Sequence, residues 1–159
     1  MNLALLRNHK LLCRLVTEGL FGLEKEHVRA TLDGHLALSS HPESLGNKAD
    51  HPFITTDFSE SQVEMITPPM PSIKEAHGFM KTLHQIVVKA LPERELLWMQ
   101  SMPPILPEEG KIPVAQFEGR ARFKTEYRER LSEIYGRGRQ MISGGHFNFS
   151  LKPAFISEL

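Results

Sequence analysis

The sequence predicts an α+β fold in which helices mix with antiparallel strands. Three observations predict it: a capped amphipathic segment after Ser72, an Asp33-Gly34 turn between apolar segments, and a C-terminal segment in which polar and apolar residues alternate. Of the 159 residues, 40% are hydrophobic and 24% are charged, as is typical of a globular domain. A chain of this length buries roughly two thirds of its unfolded surface, so one domain is the default expectation.

Helices are predicted in three places. Leucines recur at helical spacing near the N-terminus, over about residues 2–17. Ser72 and Glu75 form a capping box, and the apolar stripe that follows it continues as far as Pro92. The third helix covers about residues 120–136.

Strands are predicted on both sides of Asp33-Gly34, because Asp-Gly suits the type I′ turn of a tight hairpin. The segment at 145–151 alternates, with Phe147 and Phe149 on the face opposite His146. That pattern predicts a half-buried strand. The segment between the second and third helices is interpreted as a loop.

The stretch TDFSESQVEMITPP raises the question of why an otherwise apolar segment carries so many acidic residues. Asp57, Glu60 and Glu64 would share a face in a helix, but the β-branched residues that end at Pro68 favour a strand. Asp57 then lies at the irregular entrance to this strand. Carboxylates are rarely buried without a partner, so a cation is expected nearby.

Composition excludes several functional classes. The chain carries 19 basic and 19 acidic residues, which argues against the basic face that nucleic acids require. The N-terminal segment is apolar in its spacing, but Arg7, His9, Lys10 and Arg14 interrupt it, so neither a signal peptide nor a membrane span is predicted there. The single cysteine, Cys13, rules out an intrachain disulfide and a cysteine-based zinc site, and it fits a reducing cytoplasm.

Acidic residues on predicted strands form a candidate metal-binding set. Glu24 and Glu26 lie two apart, so on a strand they share a face at about 6.6 Å; for this pair alone, a solvated edge strand is the simpler interpretation. Asp57, Glu64 and His146 also lie on or beside predicted strands. Four carboxylates and one imidazole form a hard, oxygen-dominated ligand set that suits magnesium or manganese.

Magnesium held by several carboxylates usually completes its shell with phosphates and water. Phosphoryl transfer from a nucleotide is therefore the predicted reaction class. The sequence contains neither a GxxxxGK[ST] loop nor a GxGxxG motif, so the nucleotide would be held through its metals. The Gly144-Gly145 pair fits either a bulge that approaches a ligand or a plain turn.

Four segments together resemble the N-terminal part of the catalytic domain of bacterial glutamate–cysteine ligase, in the version found in bifunctional glutathione-forming enzymes. They are FGLEKEHVR, HLALSSHPESLGNKADHPFITTDFSESQVEMITPP, LLWMQSMPP and YGRGRQMISGGHFNFSL. The resemblance spans residues 21–151. It implies a fold related to glutamine synthetase, with flanking helices and an antiparallel sheet that forms a funnel lined by metal-binding carboxylates.

The resemblance also implies a reaction. ATP phosphorylates the side-chain carboxylate of glutamate, and the amine of cysteine attacks the acyl phosphate to give γ-glutamylcysteine, the first step of glutathione biosynthesis. Glutamate, cysteine and ATP are the implied partners, with Mg²⁺, or Mn²⁺ in its place, as the cofactor. The expected location is the cytoplasm.

Residue roles carry over from the same resemblance. The implied magnesium ligands are Glu24, Glu26, Asp57, Glu64 and His146. Phe58 and Tyr127 are implied to form part of the cysteine pocket, and Gln140 and Asn148 to contact glutamate or its phosphorylated form.

The family's catalytic domain is several times longer than this chain. Residues 1–159 are therefore expected to be an incomplete N-terminal segment of it, inactive as a ligase alone and dependent on the remainder of the ligase chain. Two alternatives stay open: a related carboxylate–amine ligase with a different amine, and a non-catalytic subunit that binds metal or glutamate.

Overall fold

A computed structural model describes residues 9–158 of the chain as helices packed on an antiparallel sheet, which confirms the predicted α+β class. The strands are β1 (Gly19–Thr31), β2 (Ile54–Thr55), β3 (Gln62–Ile66), β4 (Glu95–Trp98) and β5 (Gly145–Leu151). The helices are α1 (Lys10–Leu15), α2 (Ile73–Ala90), α3 (Arg122–Tyr135) and α4 (Pro153–Ser157). Among these helices, none is both long and apolar enough to cross a membrane.

The centre of the sheet is β1, which at 13 residues is long enough to pair along both edges. On one edge, residues 24–28 pair with β3, and β2 extends the sheet beyond it. On the other edge, residues 28–31 pair with β4 and residues 19–25 with β5. The middle of β1 is thereby flanked by β3 on one side and β5 on the other.

Helix α2 covers one face of this sheet. It begins as predicted at the capping box, where the Glu75 N–H donates to Ser72 Oγ at 3.2 Å. The two faces of β1 can be assigned from a ring contact, because His27 packs on His84 of α2 with 5.2 Å between centroids. Since side chains alternate along a strand, odd-numbered residues of β1 face α2 and even-numbered residues face away from it.

Two apolar clusters form the main core. Under α2 lie Leu45, Ile54, Val63, Met65, Leu83, Val87 and Leu97. On the opposite face, at the end of β1 nearest the Asp33-Gly34 turn, lie Val28, Leu36, Phe58, Ile112, Val114 and Met141. Each fully buried aliphatic or aromatic side chain contributes about 1.5–3 kcal/mol. The rest of that opposite face, towards Gly19, carries the even-numbered acidic residues of β1.

The turn at Asp33-Gly34 forms, but it is not the predicted type I′ turn. That type needs positive φ at both central residues, whereas in residues 9–158 positive φ occurs only at glycines. Gly34 has φ +83°, and its N–H donates to the Thr31 carbonyl at 2.9 Å, which gives a three-residue loop. The predicted second strand forms no extended ladder: Leu36 makes one isolated bridge with Ala30 of β1, and His35 makes another with Ile105.

Three further predictions need correction or lie partly outside the described residues. The segment after α2 is not all loop, since β4 forms there and pairs with the end of β1. Strand β5 forms as predicted but is not half-buried: Phe147 is 62% exposed and Phe149 is also exposed, because no described element packs over them. Of the first predicted helix, residues 2–8 lie outside the described part, and α1 covers Lys10–Leu15.

Candidate metal-binding site

Strand register brings acidic residues from separate segments together on the sheet face opposite α2. Glu26 of β1 lies directly opposite Glu64 of β3. Glu24 of β1 lies directly opposite His146 of β5. Side chains at such paired positions have Cβ atoms about 4.5–5.5 Å apart, and like charges there destabilise the sheet unless something neutralises them.

Asp57 joins this group from the segment between β2 and β3. Strand β2 ends at Thr55, which pairs with Glu64, so Asp57 follows two residues beyond that contact. Burial raises the pKa of Asp57, and the nearby charge of Glu26 raises it further, while Arg128 acts in the opposite direction. Asp57 is therefore close enough to Glu26 for the two carboxylates to repel.

Glu64 of β3 also has a raised pKa, and its shift is large. Burial and the charges of Asp57, Glu26 and Glu24 raise the pKa of Glu64 to about 7, with only partial relief from Arg128. A carboxyl group with this pKa is about half protonated at neutral pH. The cluster therefore carries more negative charge than the surrounding protein compensates, which is the condition a bound cation would relieve.

The Glu24 carboxylate is held by two side chains of β5. His146 Nδ1 lies 3.0 Å from Glu24 Oε2, and Asn148 Nδ2 donates to Glu24 Oε1 at 2.8 Å. The hydrogen bond to Glu24 raises the pKa of the exposed His146 imidazole, and the charge of Glu26 adds to this. Asn148, which the resemblance associates with glutamate, thus contacts a predicted metal ligand in this structure.

The Gly144 backbone holds the second carboxylate of β1. Its N–H donates to Glu26 Oε2 at 2.7 Å, and its carbonyl accepts from the Glu26 N–H at 3.1 Å. Lys25 Nζ donates to the same carbonyl at 3.2 Å. The sequence indicated a bulge or a turn at Gly144-Gly145 but not its contact with Glu26, because every residue type except proline supplies a backbone N–H.

The donor set fits a hard divalent cation in its chemistry. It consists of carboxylate oxygens and one imidazole nitrogen, the ligands that magnesium and manganese accept. Within residues 9–158, however, no three His, Cys, Asp or Glu side chains already stand in the arrangement of a metal-ion site. Protein donors occupy Glu24 and Glu26 instead, so these side chains would have to turn towards an ion.

The predicted substrate residues fall in different environments. Phe58 is 3% exposed and belongs to the core, whereas Tyr127 on α3 is 61% exposed. Gln140 lies in a short 3₁₀ helix, Gly138–Met141, and its carbonyl accepts from Gln62 Nε2 at 3.1 Å. These positions give Tyr127 an open surface for a ligand and give the Phe58 ring none among the described residues.

A cavity of about 320 Å³ opens beside the acidic face. Its lining includes Glu24, Asn148 and Thr67, together with the exposed Phe149. The Thr67 hydroxyl accepts from the Leu23 N–H at 2.9 Å, which fixes β1 next to this cavity. The cavity is large enough for a small polar ligand.

Comparison with known proteins shows the family of this chain. The sequence profile of the glutamate–cysteine ligase family matches residues 3–159, and the chain belongs to that family. The chain is 55% identical over 150 residues to the glutathione biosynthesis bifunctional protein GshAB of Desulfotalea psychrophila, covering 94% of this chain and 19% of that protein. With GshAB of Listeria welshimeri it shares 47% identity over 154 residues, which cover 97% of this chain and 20% of that one.

Solved structures match the fold as well. A bifunctional glutathione synthetase from Pasteurella multocida superposes with a TM-score of 0.88 at 41% identity, over 98% of this chain and 20% of that one. Glutamate–cysteine ligase from Francisella tularensis, solved in complex with AMP, gives a TM-score of 0.85 at 38% identity, over 89% of this chain and 28% of that one. The chain spans about a fifth of the length of the curated relatives it matches.

Proposed function

We propose that this chain is the metal-binding part of an ATP-dependent ligase that joins the side-chain carboxylate of glutamate to the amine of cysteine. The observation that carries the proposal is the convergence of acidic residues from β1, β3 and the Asp57 segment on one face of the sheet. Burial of Glu64, together with the charges of its acidic neighbours, raises its pKa to about 7. Membership of the glutamate–cysteine ligase family supports the choice of reaction. A cytoplasmic location, where ATP is available, belongs to the same proposal.

The residues proposed to hold Mg²⁺, or Mn²⁺ in its place, are Glu24, Glu26, Asp57, Glu64 and His146. A divalent ion bound by these residues would supply positive charge that offsets the charge developing on the phosphate oxygens during phosphoryl transfer from ATP. The protein contributes a preset position for each ligand, because strand register fixes the backbone of Glu24, Glu26 and Glu64.

Neighbouring groups orient these ligands. Asn148 and His146 hold the Glu24 carboxylate, and the Gly144 N–H holds that of Glu26. Contacts of this kind keep the ligand side chains on the acidic face, from which they would turn towards an ion. We propose that Asn148 also reaches glutamate in the adjacent cavity, with Gln140 as a further contact.

The proposal also includes a cysteine pocket. Tyr127 presents an exposed phenol on α3 and is proposed to line it. Phe58 is proposed to support this pocket from the core beneath. The proposed metal ligands do not determine which amine is joined to glutamate. The alternative to test is therefore a carboxylate–amine ligase that uses an amine other than cysteine.

We further propose that residues 1–159 form the N-terminal segment of the ligase domain and that the active site is completed by other parts of the ligase chain. Two observations support this. The chain spans only about a fifth of its relatives. Within residues 9–158, β5 pairs with β1 alone, which leaves its outer edge open to a further strand. On this proposal the chain alone forms no γ-glutamylcysteine.

A graft tests the proposed function. The matching fifth of Desulfotalea GshAB is replaced by this chain, and Mg²⁺-dependent formation of γ-glutamylcysteine from ATP, glutamate and cysteine is measured. We expect an active graft that loses activity on Glu26→Gln but keeps it on Glu108→Gln, a change at an exposed residue outside the acidic face.

Two results would contradict the proposal. A folded graft without activity would show that this chain does not supply the ligase site. An active graft that prefers another amine over cysteine would favour the alternative ligase. An assay of the 159-residue chain alone tests whether it is an incomplete segment. Formation of γ-glutamylcysteine by that chain would refute the proposed dependence on further protein.

A further inference from the structure

Arg128, in the middle of α3, has an unusual set of partners for a half-buried arginine. Its Nε donates to the Asp57 carbonyl, and Nη2 lies 3.4 Å from the Thr56 carbonyl. Nη1 donates to the Lys124 carbonyl of the same helix at 2.9 Å. These hydrogen bonds end on neutral backbone oxygens, although taking a guanidinium out of water is costly and usually requires a carboxylate partner. A simple role as a surface charge does not account for these partners of Arg128.

The carbonyls that Arg128 contacts outside α3 belong to Thr56 and Asp57, in the segment between β2 and β3. Strand β2 ends at Thr55, so the backbone of Thr56 and Asp57 has already left the ladder with β3. Buried backbone carbonyls need hydrogen-bond partners. Arg128 supplies them from another element, and it thereby ties α3 to the backbone from which the Asp57 side chain emerges.

Phe117 fixes the guanidinium in place. The Arg128 guanidinium carbon lies 5.0 Å from the centroid of the buried Phe117 ring. The Phe117 N–H donates to Thr125 Oγ1 of α3 at 2.7 Å, so the ring is itself attached to the helix that carries Arg128. A planar guanidinium on an aromatic face can serve two carbonyls at once, which a lysine ammonium cannot reproduce.

We propose that Arg128 is a positioning residue for the acidic cluster. It positions Asp57 through its hydrogen bonds to the carbonyls of residues 56 and 57, and its own position is fixed by contact with the Phe117 ring. The inference rests on the proposed metal site. It assigns α3 a role at that site that does not depend on contact between Arg128 and the ion. It also links Tyr127, the neighbouring residue on α3, to the segment that carries Asp57 and Phe58.

The test compares Arg128→Lys with Arg122→Lys in the 159-residue chain. Arg122 lies on the same helix, is exposed and pairs with Glu126, so its variant is a matched control. Two quantities are measured: Mn²⁺ affinity, from the electron paramagnetic resonance of free Mn²⁺, and hydrogen exchange over residues 56–60. Mutation of a residue that orients metal ligands typically weakens metal affinity by about tenfold or more.

We expect Arg128→Lys to weaken Mn²⁺ binding by about tenfold or more and to speed exchange over residues 56–60, with Arg122→Lys unchanged in both. Equal Mn²⁺ affinity of Arg128→Lys and wild type would overturn the inference while leaving the proposed function intact. If wild type binds no Mn²⁺, the proposed metal site fails. The exchange data then decide whether Arg128 positions the segment: faster exchange supports this, and unchanged exchange refutes it.

A second variant covers the case in which Arg128→Lys does not fold, as judged by circular dichroism. Phe117→Leu keeps an apolar side chain and the charge of Arg128 but removes the aromatic face. The inference predicts weaker Mn²⁺ binding and faster exchange over residues 56–60 for this variant too. Wild-type values for both measurements would overturn it.

Discussion

Glu24 and His146 face each other across the β1–β5 ladder, with 3.0 Å between Glu24 Oε2 and His146 Nδ1. This contact joins the first and last strands of the sheet at the acidic face. The imidazole also reports on the state of Glu24, because its hydrogen bond to the Glu24 carboxylate raises the pKa of His146.

Glu24→Gln is expected to lower the pKa of His146, since an amide cannot stabilise the imidazolium as a carboxylate does. The measurement is an NMR titration of the His146 ring protons in the metal-free chain. Glu18→Gln provides the control, because Glu18 is paired with Lys152 and not with His146. An unchanged His146 titration in Glu24→Gln would show that the contact does not exist in solution.

Glu64→Gln is expected to stabilise the metal-free chain at pH 8. The native pKa of Glu64, about 7, lies above its ordinary value of 4.5, so the penalty for ionising it is absent below about pH 4.5 and complete above pH 7. After allowance for solvent screening, the gain is about 1–2 kcal/mol at pH 8 and vanishes near pH 4.5. Urea unfolding in the presence of a chelator measures it. A Glu64→Gln chain no more stable than wild type at pH 8 would refute the raised pKa of Glu64.

Glu60→Gln is expected to destabilise the chain, because Glu60 joins three segments. Its carboxylate pairs with Lys48 and accepts from the N–H groups of Gln116 at 2.6 Å and His41 at 3.0 Å. Burial alone would raise the pKa of Glu60, but these hydrogen bonds outweigh burial and lower it. Loss of one partner of a buried ion pair costs about 3 kcal/mol.

The pH dependence of that effect follows from the lowered pKa of Glu60. The stability it contributes is present above its ordinary value of 4.5 and is lost as pH falls through the native pKa. Urea unfolding should therefore show a large gap between wild type and Glu60→Gln at pH 7 that narrows below pH 4.5. The exposed pair of Glu108 and Lys111 is the control, since Glu108→Gln should change stability by less than about 1 kcal/mol. A gap that does not depend on pH would contradict the assignment.

Local signals in the sequence predicted the elements that depend on local interactions. The capping box at Ser72 marked the start of α2, and the alternation at 145–151 marked β5. Strand β4 was missed because its four residues, Glu95–Trp98, gain their stability from pairing with the end of β1, and no short-range pattern records that pairing. Alternation also indicates which residues share a face but not whether the face is covered, so the burial of Phe147 was predicted wrongly.

The candidate site was predictable in its residue types but not in its contacts. Acidic residues at Glu24, Glu26 and Glu64 were recognisable as a possible ligand set from their placement on strands. Glu26 faces Glu64 because of the register between β1 and β3. This register cannot be derived from the sequence of either strand alone. The backbone donor at Gly144 and the carbonyls bound by Arg128 left no trace in the sequence pattern.

The central claim is that these acidic side chains share one divalent-ion site, and calorimetric titration of the metal-free 159-residue chain with Mn²⁺ tests it most directly. We expect saturable binding that Glu26→Gln and Asp57→Asn each weaken by about tenfold or more, while Glu108→Gln, at an exposed position outside the cluster, binds as wild type does. No saturable binding in wild type, or the same affinity in Glu26→Gln and Asp57→Asn as in wild type, would contradict the claim.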